Sequence, residues 1–227
     1  MTFARAASPA YPQPRSNSAP VGWQAKPGII NLPDPRLPLS MSTSPLTIRP
    51  STDADAAAVC EIYAWNVRNG TGTFELVPPS AAEMARRRED VLDKGLPWLV
   101  AERAGLLLGY AYANHFRPRP AYRFCLEDSI YLAPQAQRQG VGRVLLAELL
   151  ARCEAAGARQ MLAVIGDSEN HSSIGVHRAL GFESTGVLRS AGWKFNRWLD
   201  VVLMQKALGA GDRSAAPPPL PLPLPPP

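Results

Sequence analysis

The segment QRQGVG, Gln137 to Gly142, has the residue types and the spacing of a phosphate-binding loop. Gly140 and Gly142 carry no Cβ, so the backbone there can come close to a ligand. A helical pattern begins at this segment, and the N–H groups in the first turn of a helix have no acceptor within it. Those donors, together with the positive end of the helix dipole, suit a pyrophosphate. A tight turn into a helix uses the same glycines, and the neighbouring elements must decide between the two interpretations.

The elements predicted around this segment favour the phosphate site. LEDSIYL, residues 126–132, is typical of a strand, and Pro134 separates it from the glycines. Apolar residues at helical spacing predict a helix over residues 138–156 that ends at Gly157. The apolar run MLAVIG, residues 161–166, indicates a buried strand that runs parallel to the preceding one. A crossover from strand through helix to strand is the context that a phosphate site requires.

The other predicted elements complete a sheet with helices around it. Alternating or apolar runs predict five further strands, at residues 46–50, 97–103, 106–116, 182–188 and 193–205. Capping residues followed by helical patterns predict three further helices, at residues 53–63, 81–93 and 170–180. The segment NGTGTFE, residues 69–75, is rich in turn formers, and we expect it to form a loop over a surface or pocket.

The prolines divide the chain into a folded body and two extensions. Ten of the 24 prolines lie in residues 1–50 and eight in residues 217–227, which leaves six between them. We therefore predict a disordered proline-rich extension, one folded domain and a disordered proline-rich tail, at residues 1–45, 46–208 and 209–227. Met41 could be the true start of the protein. The tail is expected to be a solvated low-complexity segment, and a polyproline ligand for a partner domain is the alternative.

Charge and cysteine content exclude several classes of protein. Residues 41–209 hold 19 Lys and Arg against 17 Asp and Glu, so this body carries +2 of the net charge of +5. That balance argues against a nucleic-acid surface, and the run Arg86 to Arg88 is expected to be solvated. Three widely spaced cysteines and no zinc-site spacing predict reduced thiols in a cytoplasm and no metal. No apolar run reaches the ~18 residues of a membrane span, so we expect no membrane partner.

Motifs along the body resemble the GCN5-related N-acetyltransferase (GNAT) superfamily. QRQGVG before a helix, VIGDSEN at the end of the next strand and HRALGF after it carry the resemblance over residues 46–208. Collinear segments make the chain similar to the phosphinothricin and methionine sulfone N-acetyltransferases: TGTFE, PWLVAE, GYAYA, RPRPAY, EDSIYL, AVIGDSEN and GWKFNRWLDVVLMQK. The resemblance implies an α/β fold with a mixed α+β sheet of six to seven strands, about four flanking helices and splayed central parallel strands.

The resemblance implies acetyl-CoA as the co-substrate. Its pyrophosphate is expected on backbone N–H groups of the glycine segment, and its pantetheine arm on the exposed edge of the preceding strand. The implied acetyl-CoA-binding residues are Ile130, Tyr131, Leu132, Arg138, Gln139, Gly140, Val141, Gly142, Arg143, Asn170 and Ser173. A backbone N–H near Ile130 or Tyr131 is expected to polarise the thioester carbonyl.

Two catalytic residues follow from the same resemblance. An amine attacks a thioester only when it is neutral, and the departing thiolate is helped by receiving a proton. Glu127 matches the general base of the family, and repulsion from Asp128 next to it is expected to raise its pKa. His177 stands where many members carry a tyrosine acid, and an imidazole can give or take the proton. The structural alternatives are a solvated Glu127 and a His177 that only fills the core; His115 and His171 are expected to be structural or solvent-facing.

Substrate recognition is expected from the loops. Arg117, Arg119 and Tyr122 match the acid-recognising segment of the family, and a guanidinium fork fits a carboxylate, phosphinate or sulfone oxygen. Phe74, Trp193 and Lys194 are expected to complete the pocket. The alternative is that the arginines only form surface ion pairs.

The sequence therefore predicts an enzyme that transfers acetyl from acetyl-CoA directly to the amino group of a small amino-acid analogue such as phosphinothricin, methionine sulfone or methionine sulfoximine. One alternative is a GNAT enzyme that acetylates another amine: a peptide N-terminus, a lysine or a polyamine. Another is a non-catalytic acyl-CoA-binding module. A homodimer is expected, and nucleic acid is not an expected partner.

Overall fold

The computed structural model describes residues 44–215. The predictions for the N-terminal extension, including Met41 as a start, and for the polyproline segment from Pro217 lie outside the described residues.

Seven strands of the described chain form one mixed sheet in the order β1-β2-β3-β4-β5-β7-β6. Their bounds are β1 Thr47–Pro50, β2 Trp98–Arg103, β3 Leu106–His115, β4 Cys125–Leu132, β5 Gln160–Gly166, β6 Glu183–Lys194 and β7 Arg197–Ala207. All neighbours run antiparallel except β4 and β5, which run parallel. The predicted mixed sheet with a central parallel pair is confirmed.

Four α-helices of the described chain connect these strands: α1 Ala56–Asn69, α2 Ala81–Asp93, α3 Val141–Ala155 and α4 His171–Ala179. The caps predicted at Ser80 and Gly157 form, whereas α1 begins after a short 3₁₀ turn at residues 53–55 and has Asp55 rather than Ser51 or Thr52 at its N-cap. The Ser80 side chain accepts a hydrogen bond from the Glu83 N–H at the start of α2, and Gly157 after α3 has a φ of 91°.

The helices cover both faces of the sheet. Successive strand residues point to opposite faces, so Asp128 and Tyr131 of β4 lie on different sides. Tyr131 packs edge-on against Tyr63 of α1, whereas Asp128 contacts His177 of α4. Because α2 packs on α1 and α3 packs on α4, the pair α1 and α2 covers the face of Tyr131, and the pair α3 and α4 covers the face of Asp128.

Large buried side chains fill both sides of the sheet. Trp98 and Tyr110 stack with a centroid distance of 5.6 Å on the α1 side. Leu145 and Leu149 of α3 are fully buried. This packing holds the centre of the sheet rigid, and it is there that β4 and β5 part.

The parallel pairing of β4 with β5 stops at Asp128 opposite Ala163. Both strands continue beyond this point, to Leu132 and to Gly166. The two central strands therefore separate toward their C-terminal ends, as the resemblance predicted.

Three predicted boundaries were wrong. Helix α1 runs to Asn69, six residues beyond its predicted end at residue 63. Helix α3 begins at Val141 rather than at residue 138, because Arg138 and Gly140 have φ values of 59° and 76°, which a right-handed helix does not allow. The last hairpin turns at Phe195 and Asn196, so β6 runs through the residues where we had predicted a connection. Both turn residues have positive φ, 51° and 59°, as a type I′ turn requires.

The run Arg86 to Arg88 is not simply solvated, and that expectation was wrong. Arg87 Nη1 lies 2.7 Å from a Glu75 oxygen, and Arg88 donates to Ser51 and Asp53. The three consecutive helical positions point in different directions, and each finds an acceptor on a neighbouring segment or turn.

Residues 209–215, the start of the predicted tail, are described and form turns. Arg159 donates to the Gly211 carbonyl and to Ser214 Oγ. Among the described residues, no helix combines the length and the apolar content needed to cross a bilayer.

Candidate active site

A cavity of about 140 Å³ lies where β4 and β5 separate. Both strands line it, together with Gly72 from the loop after α1 and with α4. Six predicted site residues meet in this lining: Glu127, Ile130, Tyr131, Asn170, Ser173 and His177. Asp128, Ser129 and the β5 residues Ala163 to Ile165 complete the wall.

The backbone of β4 offers one free edge to this cavity. The carbonyl of Cys125 accepts from Phe116, and the N–H of Ala133 donates to Leu108, so these residues bond toward β3. Hydrogen-bonding direction alternates along a strand, which turns the N–H and carbonyl of Ile130 toward the gap. Of the two expected carbonyl-polarising donors, Ile130 therefore faces the cavity with its N–H, whereas the N–H of Tyr131 points to β3.

Leu132 is already engaged at the far end of this edge. Its carbonyl accepts a hydrogen bond of 3.1 Å from Asn66 Nδ2 of α1. The side chain of Leu132 also lies against α3, where a Cβ on Gly142 would come within 3.3 Å of it. Gly142 thus allows the start of α3 to approach β4 closely.

The glycine segment forms the start of α3 next to the cavity strand. Gly140 stands at the N-cap in a left-handed conformation, which glycine adopts without steric strain. The N–H of Arg143 donates to the Gly140 carbonyl at 3.1 Å. The N–H groups of Val141 and Gly142 precede the first intrahelical donor of α3, so they remain available to an anion.

Glu127 is half-buried at the start of the cavity. Burial raises the pKa of its carboxyl above the ordinary value of 4.5, the charge of Asp128 raises it further, and the charge of Arg117 lowers it. The Tyr112 residue of β3 pairs with Ser129, so its ring lies on the same face as Glu127. A carboxylate with a raised pKa in a cavity is suited to take up a proton.

His177 is buried and both of its ring nitrogens have partners. Nδ1 lies 2.7 Å from the Ser173 carbonyl, and Nε2 lies 3.0 Å from Asp128 Oδ2. Burial lowers the pKa of His177, but the hydrogen bond and the charge of Asp128 outweigh it, so that the pKa rises above 6.5. The ring also packs edge-on against Phe182.

Asn170 and Ser173 define the start of α4 at the cavity. The Asn170 side chain accepts from the Ser173 N–H and so caps the helix. Its Nδ2 also lies 3.4 Å from the Gly166 carbonyl at the end of β5. Both residues are therefore fixed relative to β5, the strand that leaves β4.

The loop of residues 70–75 closes the cavity from the α1 side and is tied at several points. Tyr63 Oη and Thr73 Oγ1 are 2.9 Å apart, and Glu75 pairs with Arg87 of α2. Phe74 lies so close to Gly192 that a Cβ there would come within 2.3 Å of its ring. The loop, which carries the predicted substrate residue Phe74, is therefore held in one arrangement.

Lys194 of β6 is buried and holds this same loop. Its Nζ donates to the carbonyls of Gly70 and Thr73, at 2.8 and 2.7 Å. Burial lowers the pKa of Lys194 below its ordinary value of 10.5, and the charge of Glu75 offsets only part of this effect. The predicted contact of Lys194 with substrate stays a prediction; its described partners are backbone carbonyls.

The remaining predicted substrate residues lie outside the cavity lining. Arg117 is exposed, donates to the Phe116 carbonyl and stacks on the Phe116 ring, yet its charge reaches Glu127. Arg119 is exposed, and Tyr122 is 41% exposed with its ring against Phe116. Trp193 is 51% exposed. Their predicted roles stay predictions.

Residues 60–182 match the pattern of the acetyltransferase (GNAT) family. The chain belongs to this family. It is 56% identical over 177 residues to a phosphinothricin N-acetyltransferase of Alcaligenes faecalis, across 78% of this chain and 90% of that protein. It is 38% identical over 160 residues to an L-methionine sulfoximine/L-methionine sulfone acetyltransferase of Pseudomonas aeruginosa, across 70% of this chain and 92% of that protein.

A solved structure gives the same assignment to the GNAT family. The fold is similar to that of a GNAT superfamily phosphinothricin acetyltransferase from Sinorhizobium meliloti, crystallised in complex with AcCoA. The TM-score is 0.74 at 48% identity, and the match covers 76% of this chain and 93% of that chain.

Sequence reasoning about this GNAT chain missed a side chain that is bonded to a predicted catalytic residue. Asp128 was considered only for its repulsion of Glu127, yet it binds His177 on the other face of the sheet. The signal was present in the segment EDS, since consecutive residues of a strand must point to opposite faces. The partner of Asp128 was not predictable, because it depends on how α4 packs.

Proposed function

We propose that this protein transfers acetyl from acetyl-CoA to the amino group of a small amino-acid analogue such as phosphinothricin, methionine sulfone or methionine sulfoximine. The observation that carries the proposal is the position of Glu127 and His177 in one cavity at the gap between β4 and β5. The names of the relatives support this choice of substrates.

The residues present fit acetyl-CoA, which supplies an activated acetyl thioester when it is bound. The free edge of β4 at Ile130 can hydrogen-bond an amide-containing arm, as an added strand would. The available N–H groups of Val141 and Gly142 suit a pyrophosphate, with Arg138, Gln139, Gly140 and Arg143 around it. Asn170 and Ser173 at the start of α4 line the same cavity and would contact the arm.

Glu127 is the proposed general base. The substrate amine is an ammonium near neutral pH, and the carboxylate of Glu127 takes up its proton so that nitrogen can form the new bond to the acetyl carbon. The N–H of Ile130 points into the gap and stabilises the negative charge that develops on the carbonyl oxygen. No acetylated side chain is needed, because amine and thioester meet directly.

His177 assists the departing thiolate from the other face of the sheet. Glu127 and Asp128 are consecutive, so the base and the Asp128–His177 pair lie on opposite sides of β4. The amine loses its proton on one face, and the sulfur, which leaves with the electron pair of its bond to carbon, is stabilised from the other. The gap between β4 and β5 connects these two faces of the sheet.

Substrate selection is assigned to residues of the loop before β4, of the loop of residues 70–75 and of the last hairpin, all outside the cavity lining itself. Arg117 and Arg119 supply guanidinium groups for a carboxylate, phosphinate or sulfone oxygen, and Tyr122 a hydroxyl. Phe74, Trp193 and Lys194 complete the pocket, with Lys194 acting on the loop of residues 70–75 through Gly70 and Thr73. A cationic polyamine would be repelled by the two arginines.

The protein is further proposed to act as a homodimer in the cytoplasm, with its folded domain at residues 46–208. Trp193, Phe195 and Trp198 are each at least half exposed, at 51%, 50% and 62%, and neighbour one another at the end of the last hairpin. An apolar surface of this kind is typical of a contact between protein chains. The three cysteines are free thiols, which supports a reducing compartment.

The test is a comparison of kcat/KM from CoA release with an acceptor panel. We expect phosphinothricin, methionine sulfone and methionine sulfoximine to exceed lysine, a polyamine and a peptide N-terminus. A higher kcat/KM for one of the latter amines would favour the alternative GNAT substrates. Tight CoA binding without turnover on any amine would favour a non-catalytic module.

A further inference from the structure

The Asp128–His177 contact joins the two strands that form the active-site gap. Asp128 lies on β4, at the last residue that pairs with β5. His177 lies on α4, the helix that follows β5 along the chain. The contact therefore ties the element after β5 back to β4 at the point where the strands separate.

Both ring nitrogens of His177 face oxygen atoms that can accept a hydrogen bond. The Ser173 carbonyl can only accept, so Nδ1 carries a proton. A carboxylate at Asp128 can likewise only accept, and Nε2, at 3.0 Å from Oδ2, would then carry a second proton. Both side chains are 2% exposed, and water does not screen the attraction between them.

Within residues 44–215, Asp128 is the acidic side chain that contacts His177, and its other neighbours are uncharged. Phe182, before β6, presents a ring edge to the imidazole. Cys153 of α3 is buried near Asp128, and burial raises the pKa of its thiol to about 12, so it is neutral. Ser173 of α4 contributes a hydroxyl and a carbonyl, and Glu127 is on the opposite face of β4.

We propose that Asp128 is a positioning residue for the acetyl transfer: it keeps His177 doubly protonated and fixed at the wall of the gap, so that a positive charge faces the departing thiolate. This inference rests on the proposed function for its catalytic consequence. The second carboxylate oxygen of Asp128, Oδ1, is buried without a partner among the described residues. A carboxylate kept half-satisfied in this way gains more from its bond to a charged than to a neutral imidazole.

If Asp128 had a purely structural role, any hydrogen-bonding group of the same shape could replace it. The Asp128→Asn variant therefore separates a structural role from an electrostatic one. An asparagine has nearly the same shape and can donate from Nδ2 to a neutral Nε2. Without the carboxylate, burial favours the neutral form of His177, and of the influences that raise its pKa only the hydrogen bond to the Ser173 carbonyl remains. The variant thus keeps a hydrogen bond and removes the charge.

The state of His177 is read by NMR on the full chain labelled with ¹⁵N-histidine, at about pH 7, just above the ordinary histidine pKa of about 6.5. His115 and His171 are assigned with His115→Gln and His171→Asn. We expect two protonated ring nitrogens on His177 in the wild type, and one, on Nδ1, in Asp128→Asn. A neutral His177 in the wild type, which requires no variant to fold, would overturn the proposal.

Steady-state kinetics provide a second test of the proposal. The matched control is Asp93→Asn, at an exposed residue. We expect kcat of Asp128→Asn to be roughly 10-fold to 100-fold below that of the wild type, with a smaller change in the KM of the acceptor, and we expect this ratio to shrink at lower pH, where His177 of the variant protonates. Unchanged kcat would also overturn the proposal. If the wild type acetylates no amine, the proposed function fails, while the NMR result still decides whether Asp128 holds His177 charged.

Discussion

Glu127 and Asp128 are consecutive residues of β4 whose carboxyl groups lie on opposite faces of the sheet. Glu127 shares its face with Tyr112 and Tyr131, and Asp128 is bonded to His177 at 3.0 Å. Because β5 stops pairing at Asp128, both faces open into the same cavity. A carboxyl group and an imidazole thus reach one gap from two sides, which is the arrangement on which the proposed acetyl transfer rests.

Arg117 is expected to influence the pH at which kcat decreases on the acidic side of the pH profile, called the acidic limb below. Glu127 must be ionised to accept a proton, so kcat is expected to fall as the pH falls through its pKa, which burial and Asp128 raise above 4.5. The charge of Arg117 lowers that pKa. In Arg117→Gln the limb is expected to move to higher pH in a profile of kcat against pH. Arg68→Gln, at an exposed arginine of α1, serves as control, and a limb that stays in place would contradict the role of Arg117.

Lys194 is expected to act on substrate binding through the loop of residues 70–75. The variant Lys194→Met removes the donors to the Gly70 and Thr73 carbonyls and leaves the stem. We expect the KM of the acceptor to rise several-fold and the free energy of unfolding to fall by about 1–3 kcal/mol, since two buried carbonyls lose their partner. Steady-state kinetics and urea denaturation measure both, with Lys206→Met of β7 as control. An unchanged KM would leave Lys194 with a role in stability alone.

The Asp128–His177 pair predicts a pH-dependent part of the stability. The pKa of His177 is raised above 6.5 in the folded protein, so the stabilisation is fully present below 6.5 and is lost as the pH rises through the raised value. The difference in unfolding free energy between the wild type and Asp128→Asn is therefore largest at low pH, about 1–3 kcal/mol, and shrinks at high pH. Urea denaturation across this range checks it; a difference that grows with pH would have the wrong sign.

Much of the fold could be predicted from the sequence because its signals are local. The apolar run of β5, the helical spacing of α3 and the glycine after it place these elements without tertiary information. The exceptions depend on backbone conformation. Nothing in the residue types at Phe195 and Asn196 required both to adopt positive φ, so the last turn was misplaced.

The candidate site divides in the same way. The cavity gathers Glu127, His177, Asn170 and Ser173 because short connections fix them at the ends of β4 and β5. Partnerships between distant segments were not predictable. Arg87 with Glu75 and Lys194 with Thr73 depend on where the loop after α1 packs, which periodicity does not determine.

The central claim is that Glu127 accepts the proton of the substrate amine during direct acetyl transfer. The most direct test is kcat/KM of Glu127→Gln with the best acceptor of the panel, because glutamine keeps the shape and cannot be ionised. The exposed Glu89→Gln of α2 is the matched control. We expect a loss of about 100-fold or more in Glu127→Gln and none in the control. Full activity of Glu127→Gln would contradict the account.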